Sequence, residues 1–151
     1  MINNDKIKIK IKKLDERAVL PQFGSDYAAG ADLRVLCDED IVIAPHETIM
    51  LHTGLAAEIP VGFAGLIYAR SGLASKRGLA PANKVGVIDS DYRGELMVAL
   101  HNHSEEPGYV SANERIAQLV IVQLPAVLYE EAQELADTAR GEGGFGSTGK
   151  E

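Results

Sequence analysis

Cysteine is nearly absent from this sequence: Cys37 is the only one among 151 residues. One cysteine allows neither an intramolecular disulfide nor a thiolate metal cluster within the chain. Long apolar runs are absent as well, so the sequence predicts no transmembrane helix, and the lysine-rich stretch at residues 6–12 is unlike a secretory signal. We therefore expect a protein of the reducing cytoplasm with no membrane association.

Basic residues are scarce relative to acidic ones. There are 15 Lys and Arg against 22 Asp and Glu, a net charge of −7, which argues against non-specific binding to nucleic acid or to an anionic membrane. A phosphate ligand would need local arginines, backbone amides or a divalent cation to overcome this background field. The chain also lacks a G-x-S-x-G motif, so nothing supports a hydrolase with a serine nucleophile.

The rest of the composition is that of one ordinary globular domain, with 46% hydrophobic and 25% charged residues. Short apolar or alternating stretches between glycines and prolines predict an all-β sandwich or barrel. These stretches are residues 6–12, 31–37, 41–44, 48–51, 63–69, 84–88, 95–102 and 115–124. Residues 71–78 predict a short helix with Ser71 as N-cap and Gly78 at its end. Residues 126–137 fit either a helix or an extended arm.

The composition changes beyond residue 129. Large apolar residues become rare, and the last eleven residues contain five of the fifteen glycines. We therefore expect a β-domain over residues 1–129 and a mobile C-terminal arm over residues 130–151. Residues 130–145, fully extended, span about 50 Å. A domain of this size has a radius of gyration of about 15 Å, so the arm is long enough to reach a neighbouring subunit.

Glycines in the arm have the spacing of two nucleotide-binding motifs, G-x-G-x-x-G and G-x-x-x-x-G-K, but the strand and helix that those sites require are missing. The chemistry still suits a phosphate, because glycine-rich backbone exposes amides while Arg140, Ser147 and Thr148 add donors. A flexible solvated terminus is the alternative. Phe145 is better explained by a ring that closes over a flat ligand such as a base.

The predicted helix begins beside a cluster of positive charge. Arg70 directly precedes Ser71 and Gly72, whose amides at the start of the helix suit an anion, and Lys76 and Arg77 add charge. A capped helix with an exposed arginine is an equally good explanation of this segment taken alone.

Two aspartates lie in a predicted hairpin bounded by glycines, residues 86–94. Asp89 and Asp91 either make ordinary turn hydrogen bonds, or one of them polarises a water while the Tyr92 ring packs against a ligand.

Several polar residues interrupt predicted strands. Asp32 lies between apolar residues and needs a partner, which is a metal with its water shell, a backbone amide or, more commonly, an arginine. Gln118 is a candidate for a buried amide that bonds to backbone. His101 and His103 share a strand face but lack a third metal ligand, so we expect surface residues. The sequon at Asn102 has no glycosylation role in a cytoplasmic chain.

Five segments together resemble the trimeric dUTP diphosphatases (dUTPases) in content, order and spacing, over nearly the whole chain. In chain order they are Ala29-Gly-Ala-Asp-Leu33, Arg70-Ser-Gly-Leu-Ala74, Gly86-Val-Ile-Asp-Ser-Asp-Tyr-Arg-Gly-Glu95, Glu114-Arg-Ile-Ala-Gln-Leu119 and Arg140-Gly-Glu-Gly-Gly-Phe-Gly-Ser-Thr-Gly149. Each motif alone is weak evidence, but all five in the family order make a chance match improbable.

The resemblance implies a jelly-roll β-barrel and a homotrimer with three active sites at the subunit interfaces, each closed by a neighbour's C-terminal arm. It also implies hydrolysis of dUTP to dUMP and diphosphate with Mg²⁺, which limits uracil incorporation into DNA and supplies the precursor of thymidylate. Phosphoryl transfer of this kind depends mainly on positioning and charge neutralisation.

By the same resemblance, Asp89 is the catalytic residue: it orients and activates the water that attacks the α-phosphorus in line, and it contacts the deoxyribose 3′-hydroxyl. Tyr92 packs against the sugar where a ribose 2′-hydroxyl would clash. Asp32 meets Mg²⁺ through water.

The resemblance also assigns the remaining binding residues. Those that recognise uracil are Asn83 and the backbone of Gly86, Val87 and Ile88, with Met97 lining the pocket. Those that hold the phosphates are Arg70, Ser71, Gly72 and Gln118. Those of the arm are Arg140, Ser147 and Thr148 on the terminal phosphate, Phe145 stacked on uracil, and Gly146 beside it.

One departure from the family pattern is Ala69, which stands before Arg70 where the family usually has proline, and this puts the rigidity of the loop in question. Two alternatives stay open. A dCTP deaminase shares the fold, although Tyr92 and the complete glycine-rich tail fit a dUTPase better. A nucleotide-sensing regulator without enzymatic activity is the other, although Asp89, Gln118 and Arg140 are all in place for catalysis.

Overall fold

The structure is a computed structural model that describes residues 6–144. Over that range the chain forms eleven strands and one short helix, which confirms the predicted all-β fold. In chain order the elements are β1 (Lys10–Lys13), β2 (Gln22–Phe23), β3 (Ala31–Arg34), β4 (Ile41–Ile43), β5 (Thr48–Glu58), β6 (Phe63–Tyr68), α1 (Ser71–Arg77), β7 (Leu79–Pro81), β8 (Gly86–Ile88), β9 (Glu95–Asn102), β10 (Gly108–Val110) and β11 (Arg115–Gln123).

The strands of the described residues form sheets of five, four and two strands. Their orders are β2-β3-β11-β6-β8, β1-β5-β9-β7 and β10-β4, and the paired strands run antiparallel. Many neighbours are distant in sequence. In the five-stranded sheet Asp32 pairs with Gln118, which also pairs with Tyr68. Three polar positions from separate segments therefore meet in one row across the sheet.

One hydrophobic core joins the sheets, with fully buried side chains that include Leu33, Ile43 and Ile116. Strand β9 shows how the sequence pattern builds it. Leu96 is buried whereas Met97, the next residue, is exposed, because successive side chains of a strand point to opposite faces. The outward face of β9 is thus left free to line a pocket.

The first strand is shorter than the alternating lysines and isoleucines predict. Strand β1 begins at Lys10, which pairs with Glu58, the last residue of β5. Residues 6–9 run past the end of that partner, so they form no strand despite their pattern. The sequence patterns also miss β2, β7 and β10, because two or three residues are too few to show an alternation.

The helix begins differently from its prediction. Ser71 is the first helical residue and not the N-cap; Arg70 takes that place in an extended conformation, with φ −88° and ψ 128°, and no side chain caps the helix. The reason is that the first hydrogen bond of the helix runs from the amide of Ala74 to the carbonyl of Arg70, at 3.0 Å, and the N-cap is the residue whose carbonyl accepts that bond. Gly78 ends the helix as expected, at φ 64°, a left-handed conformation that glycine adopts at little cost.

Asn102, the residue of the sequon, is fully buried. Its Nδ2 donates to the carbonyls of Ile43 and Glu106, at 3.0 and 2.8 Å, and its Oδ1 accepts from the amide and hydroxyl of Ser104. These bonds tie the end of β9 to β4 and to the following turn. They are a structural reason for an asparagine that the sequence alone left without a role.

After β11 the chain has neither helix nor strand up to residue 144, which decides against a helix at residues 126–137. This segment exposes large apolar side chains: Val127 is 62%, Leu128 89% and Leu135 88% exposed. An apolar groove of about 470 Å³ lies elsewhere on the same chain, lined by residues that include Ile9, Phe23 and Ile121. The described part contains no helix that is long and apolar enough to cross a membrane.

Candidate functional site

The predicted site residues fall into two separate concavities. The first, which we call the basic cleft, has a volume of about 420 Å³ and is lined by Gly24, Ala28, Gly30, Asp32, Arg70, Ser71, Gly72, Leu73, Lys76, Arg77, Glu114, Arg115 and Gln118. The second has a volume of about 210 Å³ and is lined by Met50, Val87, Ile88, Asp89, Tyr92, Glu95 and Met97. We call it the hairpin pocket after the hairpin predicted over residues 86–94, but that prediction is wrong: β8 pairs with β6 whereas β9 pairs with β5 and β7, so residues 89–94 connect two different sheets. The two concavities share no residue.

Asp32 holds two arginines in the basic cleft. Its Oδ1 accepts from Arg70 Nε at 2.7 Å, and its Oδ2 accepts from Arg115 Nη1 at 3.1 Å. The Asp32 and Arg70 side chains are only 14% and 27% exposed. Of the partners considered from the sequence, arginine is the one observed. Arg70 uses Nε for this contact and Nη1 for a long hydrogen bond, 3.5 Å, to the carbonyl of Arg115, so Nη2, which has no bond within residues 6–144, is left to face an anion.

Gln118 is fixed at the back of the basic cleft by two neighbours. Its Nε2 donates to the carbonyl of Ala69 at 2.8 Å, which steadies the loop just before Arg70 where the family usually has proline. Gly30 packs against the other side of the amide: a Cβ at this glycine would lie 2.5 Å from Gln118 Oε1. The absence of a side chain at Gly30 therefore leaves room for Gln118.

The lining of the basic cleft is positive although the chain is acidic overall. Four of its side chains are cationic and two, Asp32 and Glu114, are anionic. Arg77 pairs with Glu114, whereas Lys76 forms no ion pair among the residues that the structure describes. Ser71 and Gly72 are exposed at the cleft. Such a surface attracts a polyanion, which the net charge alone would repel.

The hairpin pocket presents one carboxylate among apolar side chains. Asp89 is exposed at the end of β8. Tyr92 is 39% and Met97 38% exposed, so both offer apolar surface to a ligand. The hydroxyl of Tyr92 donates to the carbonyl of Glu95 at 3.0 Å. A carboxylate beside an aromatic ring and a thioether can position a water next to a flat, partly apolar ligand.

Glu95 and Met50 also line this pocket, and sequence reasoning gave them no role. Burial raises the pKa of Glu95, but the hydrogen bond to His52 and those to the backbone N–H groups of Gly54 and Thr53 outweigh it and hold the pKa below the ordinary value of a glutamate. The bonds to His52 Nδ1 and Gly54 N measure 2.8 and 2.7 Å. Outward positions on β5 and β9 were the only signal available, and it does not distinguish these two residues from others.

The basic cleft and the hairpin pocket lie far apart within one chain. Asp32 and Asp89 are separated by three strand steps in the five-stranded sheet, from β3 across β11 and β6 to β8, or about 14 Å. The register places Asp32 level with Tyr68 and the end of β8 level with Gly65, near the opposite end of β6. Asp89 follows Ile88 and is therefore level with Ala64, four residues from Tyr68. This adds a displacement of about 13 Å along the strands between Asp32 and Asp89.

Other predicted residues lie outside both concavities or outside the described range. Asn83 is exposed beside Gly86, and neither lines the hairpin pocket, although Val87 and Ile88 do. Arg140 is part of a turn, where its Nε donates to the carbonyl of Gly143 at 2.7 Å. The predicted arm residues that fall outside residues 6–144 are Phe145, Gly146, Ser147 and Thr148.

The donor set for a metal ion is limited. Among residues 6–144 no group of three or more His, Cys, Asp or Glu side chains is placed to hold a metal. Both oxygens of Asp32 accept from arginines, but a carboxylate has about four acceptor positions in all, so Asp32 can still accept from a metal-bound water. The residues thus fit a Mg²⁺ that keeps its water and takes most of its other ligands from phosphate oxygens.

Comparison with known proteins agrees with this geometry. The family model described as dUTPase matches residues 16–149. The deoxyuridine 5′-triphosphate nucleotidohydrolase of Desulfitobacterium hafniense is 47% identical over 98% of this chain and 99% of its own length. That of Nautilia profundicola is 49% identical over 95% of this chain and 100% of its own length.

Solved structures show the same fold. A mutant dUTPase of Staphylococcus bacteriophage 80alpha with dUpNHpp has a TM-score of 0.87 and 28% identity, and covers 96% of this chain and 100% of its own. A mutant dUTPase of phage phi11 of S. aureus, whose structure concerns the coordination of a structural Mg(II) ion, has a TM-score of 0.77, 24% identity and coverages of 87% and 100%. Since the family model spans most of the sequence and relatives nearly half identical span almost all of it, this chain belongs to the dUTPase family.

Proposed function

We propose that this chain hydrolyses dUTP to dUMP and diphosphate at sites that copies of the chain build together in a homotrimer. The observation that carries the proposal is the separation of the basic cleft from the hairpin pocket. A carboxylate that activates water at the α-phosphorus must lie within hydrogen-bond reach of that water. Asp89 is too far from Arg70 and Gln118 in its own chain, so the two halves of one site come from two copies.

The basic cleft binds the triphosphate. Arg70 donates from the part of its guanidinium that Asp32 leaves free, and Gln118 is held at the back of the cleft. Ser71 and Gly72 add a hydroxyl and backbone amides at the exposed edge. Charge neutralisation by these groups stabilises the negative charge that spreads over the phosphate oxygens in the transition state.

The hairpin pocket binds the nucleoside and supplies the catalytic residue. Asp89 accepts a hydrogen bond from the attacking water and orients it in line with the leaving diphosphate. The Tyr92 ring packs against deoxyribose where a 2′-hydroxyl would collide with it, and Met97 covers part of the ligand. Asn83 and the backbone of residues 86–88 recognise uracil by hydrogen bonds to its edge.

Mg²⁺ fits the basic cleft through water at Asp32. Bound with the nucleotide, the ion would neutralise phosphate charge. Asp32 itself does two things that need no metal: it fixes the direction of Arg70, and it fixes that of Arg115.

The C-terminal arm closes the site of a neighbouring copy. Arg140, Ser147 and Thr148 bind the terminal phosphate, Phe145 stacks on uracil and Gly146 lies between them. Two features of the described chain support an assembly of copies. The segment that follows β11 exposes Val127, Leu128 and Leu135, and an apolar groove with Ile9 and Phe23 lies open on the same chain. Exposed apolar area of this kind is typical of a surface that a partner covers.

Mixing two inactive variants tests the shared site. Asp89→Asn removes the catalytic half and Arg70→Gln the phosphate half. Co-expressed copies that assemble at random would restore both native halves in about one quarter of the sites, so diphosphate release from dUTP should recover although each variant alone is inactive. Recovery is expected to be confined to dUTP when dCTP, dTTP and UTP are supplied in parallel. No recovery in mixed assemblies would place both halves in one chain and contradict the proposal.

A further inference from the structure

The ring of Tyr92 occupies space that only a glycine at position 94 leaves open. A Cβ at Gly94 would lie 2.4 Å from Tyr92 Oη, 2.5 Å from Cζ and 2.9 Å from Cε2. Non-bonded carbons and oxygens do not approach this closely, because their attraction is greatest at about 3.5–4.0 Å and repulsion rises steeply inside that distance. Two ring atoms and the hydroxyl oxygen are involved, so a small shift of one terminal atom cannot relieve the contact.

The backbone conformation of Gly94 does not itself require glycine. The described glycines with positive φ are Gly54, Gly62, Gly78 and Gly141, and Gly94 is not among them. An alanine can therefore adopt the backbone of Gly94 without left-handed strain. The requirement for glycine comes from the Tyr92 ring alone. An alanine at position 94 therefore tests the contact with the ring without adding backbone strain.

One further contact holds the ring in this position, and Arg93 stabilises the loop that carries it. The Tyr92 hydroxyl donates to the carbonyl of Glu95, and the Glu95 carboxylate is bonded to His52 and to the amide of Gly54 on β5. Arg93 Nη1 donates to the carbonyls of Ser90 and Tyr92, at 2.7 and 3.0 Å, and so braces the backbone of the loop. The ring therefore packs against Gly94, and its hydroxyl is bonded to the start of β9, which Glu95 ties to β5.

We propose that Gly94 is a specificity-determining residue: its missing Cβ seats the Tyr92 ring at the wall of the hairpin pocket, and this position excludes a ribose 2′-hydroxyl. The inference rests on the proposed role of Tyr92 against the sugar. A methyl group at position 94 pushes the ring off its seat and breaks its bond to Glu95. The Tyr92 ring then no longer has a fixed position at the wall of the pocket. A pocket that excludes the 2′-hydroxyl only by its shape then loses its preference for deoxyribose over ribose.

The test compares Gly94→Ala, Tyr92→Ala and the double variant, with Tyr92→Phe as the variant that keeps the ring and loses only the hydroxyl. The quantity measured is the ratio of kcat/KM for dUTP to kcat/KM for UTP. Gly94→Ala is expected to lower the ratio about tenfold, and Tyr92→Ala at least as much. In the Tyr92→Ala background, Gly94→Ala should change the ratio less than about twofold, because no ring is left to displace.

Urea unfolding of the wild type, the Gly94→Ala and Tyr92→Ala variants and the double variant separates the packing of the ring on Gly94 from its effect on the reaction. Gly94→Ala should lower the unfolding midpoint when Tyr92 is present and leave it nearly unchanged when Tyr92 is alanine, which also keeps the test valid should the single variant fold poorly. If Gly94→Ala shifts the unfolding midpoint equally with Tyr92 and with alanine at position 92, the ring does not pack on Gly94 and the proposal is overturned. A native ratio in Gly94→Ala, with Tyr92→Ala lowering it, overturns the specificity role of Gly94. A native ratio in Tyr92→Ala overturns the sugar assignment of Tyr92, and the specificity role with it.

Discussion

The basic cleft and the hairpin pocket hold their functional side chains in different ways. In the basic cleft, Asp32 reaches 38 residues along the chain to Arg70 and 83 residues to Arg115. In the hairpin pocket, Tyr92 bonds to a carbonyl only three residues away, and Arg93 does the same. The cleft therefore forms only when β3, α1 and β11 have packed, whereas most of the pocket is a property of one short segment, the loop that joins β8 to β9. Side-chain charge therefore matters most in the basic cleft, and backbone shape matters most in the hairpin pocket.

Among single substitutions in the basic cleft or the hairpin pocket, Asp89→Asn should lower kcat the most. The amide keeps the size of the carboxylate but cannot polarise a water as a general base, so kcat should fall about 1000-fold. The geometry of the hairpin pocket does not depend on the Asp89 charge, so binding of the non-hydrolysable analogue dUpNHpp should stay within about threefold of native. Steady-state diphosphate release and calorimetric titration measure the two quantities. Equal losses of rate and binding would assign Asp89 to ligand binding instead.

Deletion after Asp137 should have the next largest effect, and it acts on both halves at once. The described part of the arm is exposed and packs no core, so the truncated chain should keep its fold and assembly. Its kcat/KM should fall about 100-fold, because groups that close a site over the substrate no longer do so. Sedimentation checks the assembly and initial rates check the activity. A truncated chain with native kinetics would show that the arm does not close the site.

Asp32→Asn should weaken the basic cleft and leave the hairpin pocket intact. An asparagine offers one acceptor oxygen in place of two, so it cannot hold both Arg70 and Arg115 as the carboxylate does. The KM for dUTP should rise about tenfold, since two guanidiniums lose their direction. The preference for dUTP over UTP should stay native because it belongs to the other half. A changed preference would show that the two halves are coupled and would weaken the comparison.

The sequence predicted the hairpin pocket better than the basic cleft, and the reason is the range of the contacts. Asp89 and Tyr92 lie in one continuous motif, so their neighbourhood is local. The partner of Asp32 depends on the β3–β11–β6 order, which no single strand pattern encodes. A need for some partner was predictable from a carboxylate between apolar residues, but the choice of two arginines was not.

The secondary structure shows the same difference between local features, which the sequence predicts, and long-range pairing, which it does not. The alternation of apolar residues gave β9 its bounds, residues 95–102, because the strand is long and has one buried face. It failed at residues 6–9, where the pattern continues but the partner strand ends at Glu58. Ser71 was placed as N-cap from its residue type alone, whereas the first hydrogen bond of the helix, from the Ala74 amide to the Arg70 carbonyl, sets the helix start one residue earlier. Local chemistry predicts which residues suit an element, and tertiary pairing decides where it stops.

Substitution of Glu95 should have the smallest effect, and it concerns stability. It sharpens the comparison of the two sites because the Glu95 carboxylate makes long-range hydrogen bonds, to His52 and Gly54, in a pocket whose other contacts are local. Its pKa is lowered in the folded chain, so the stabilisation that it contributes is complete above its unfolded pKa of about 4.3 and is lost as the pH falls through the folded value. Glu95→Gln keeps the shape without titrating. Urea unfolding should therefore show wild type more stable than the variant near pH 6, with a gap that closes below about pH 4. Glu131→Gln on the exposed arm controls for the change in net charge. A gap that stays constant over this range would mean that the ionised carboxylate does not anchor the β8–β9 loop to β5, and the pocket would then rest on local contacts alone.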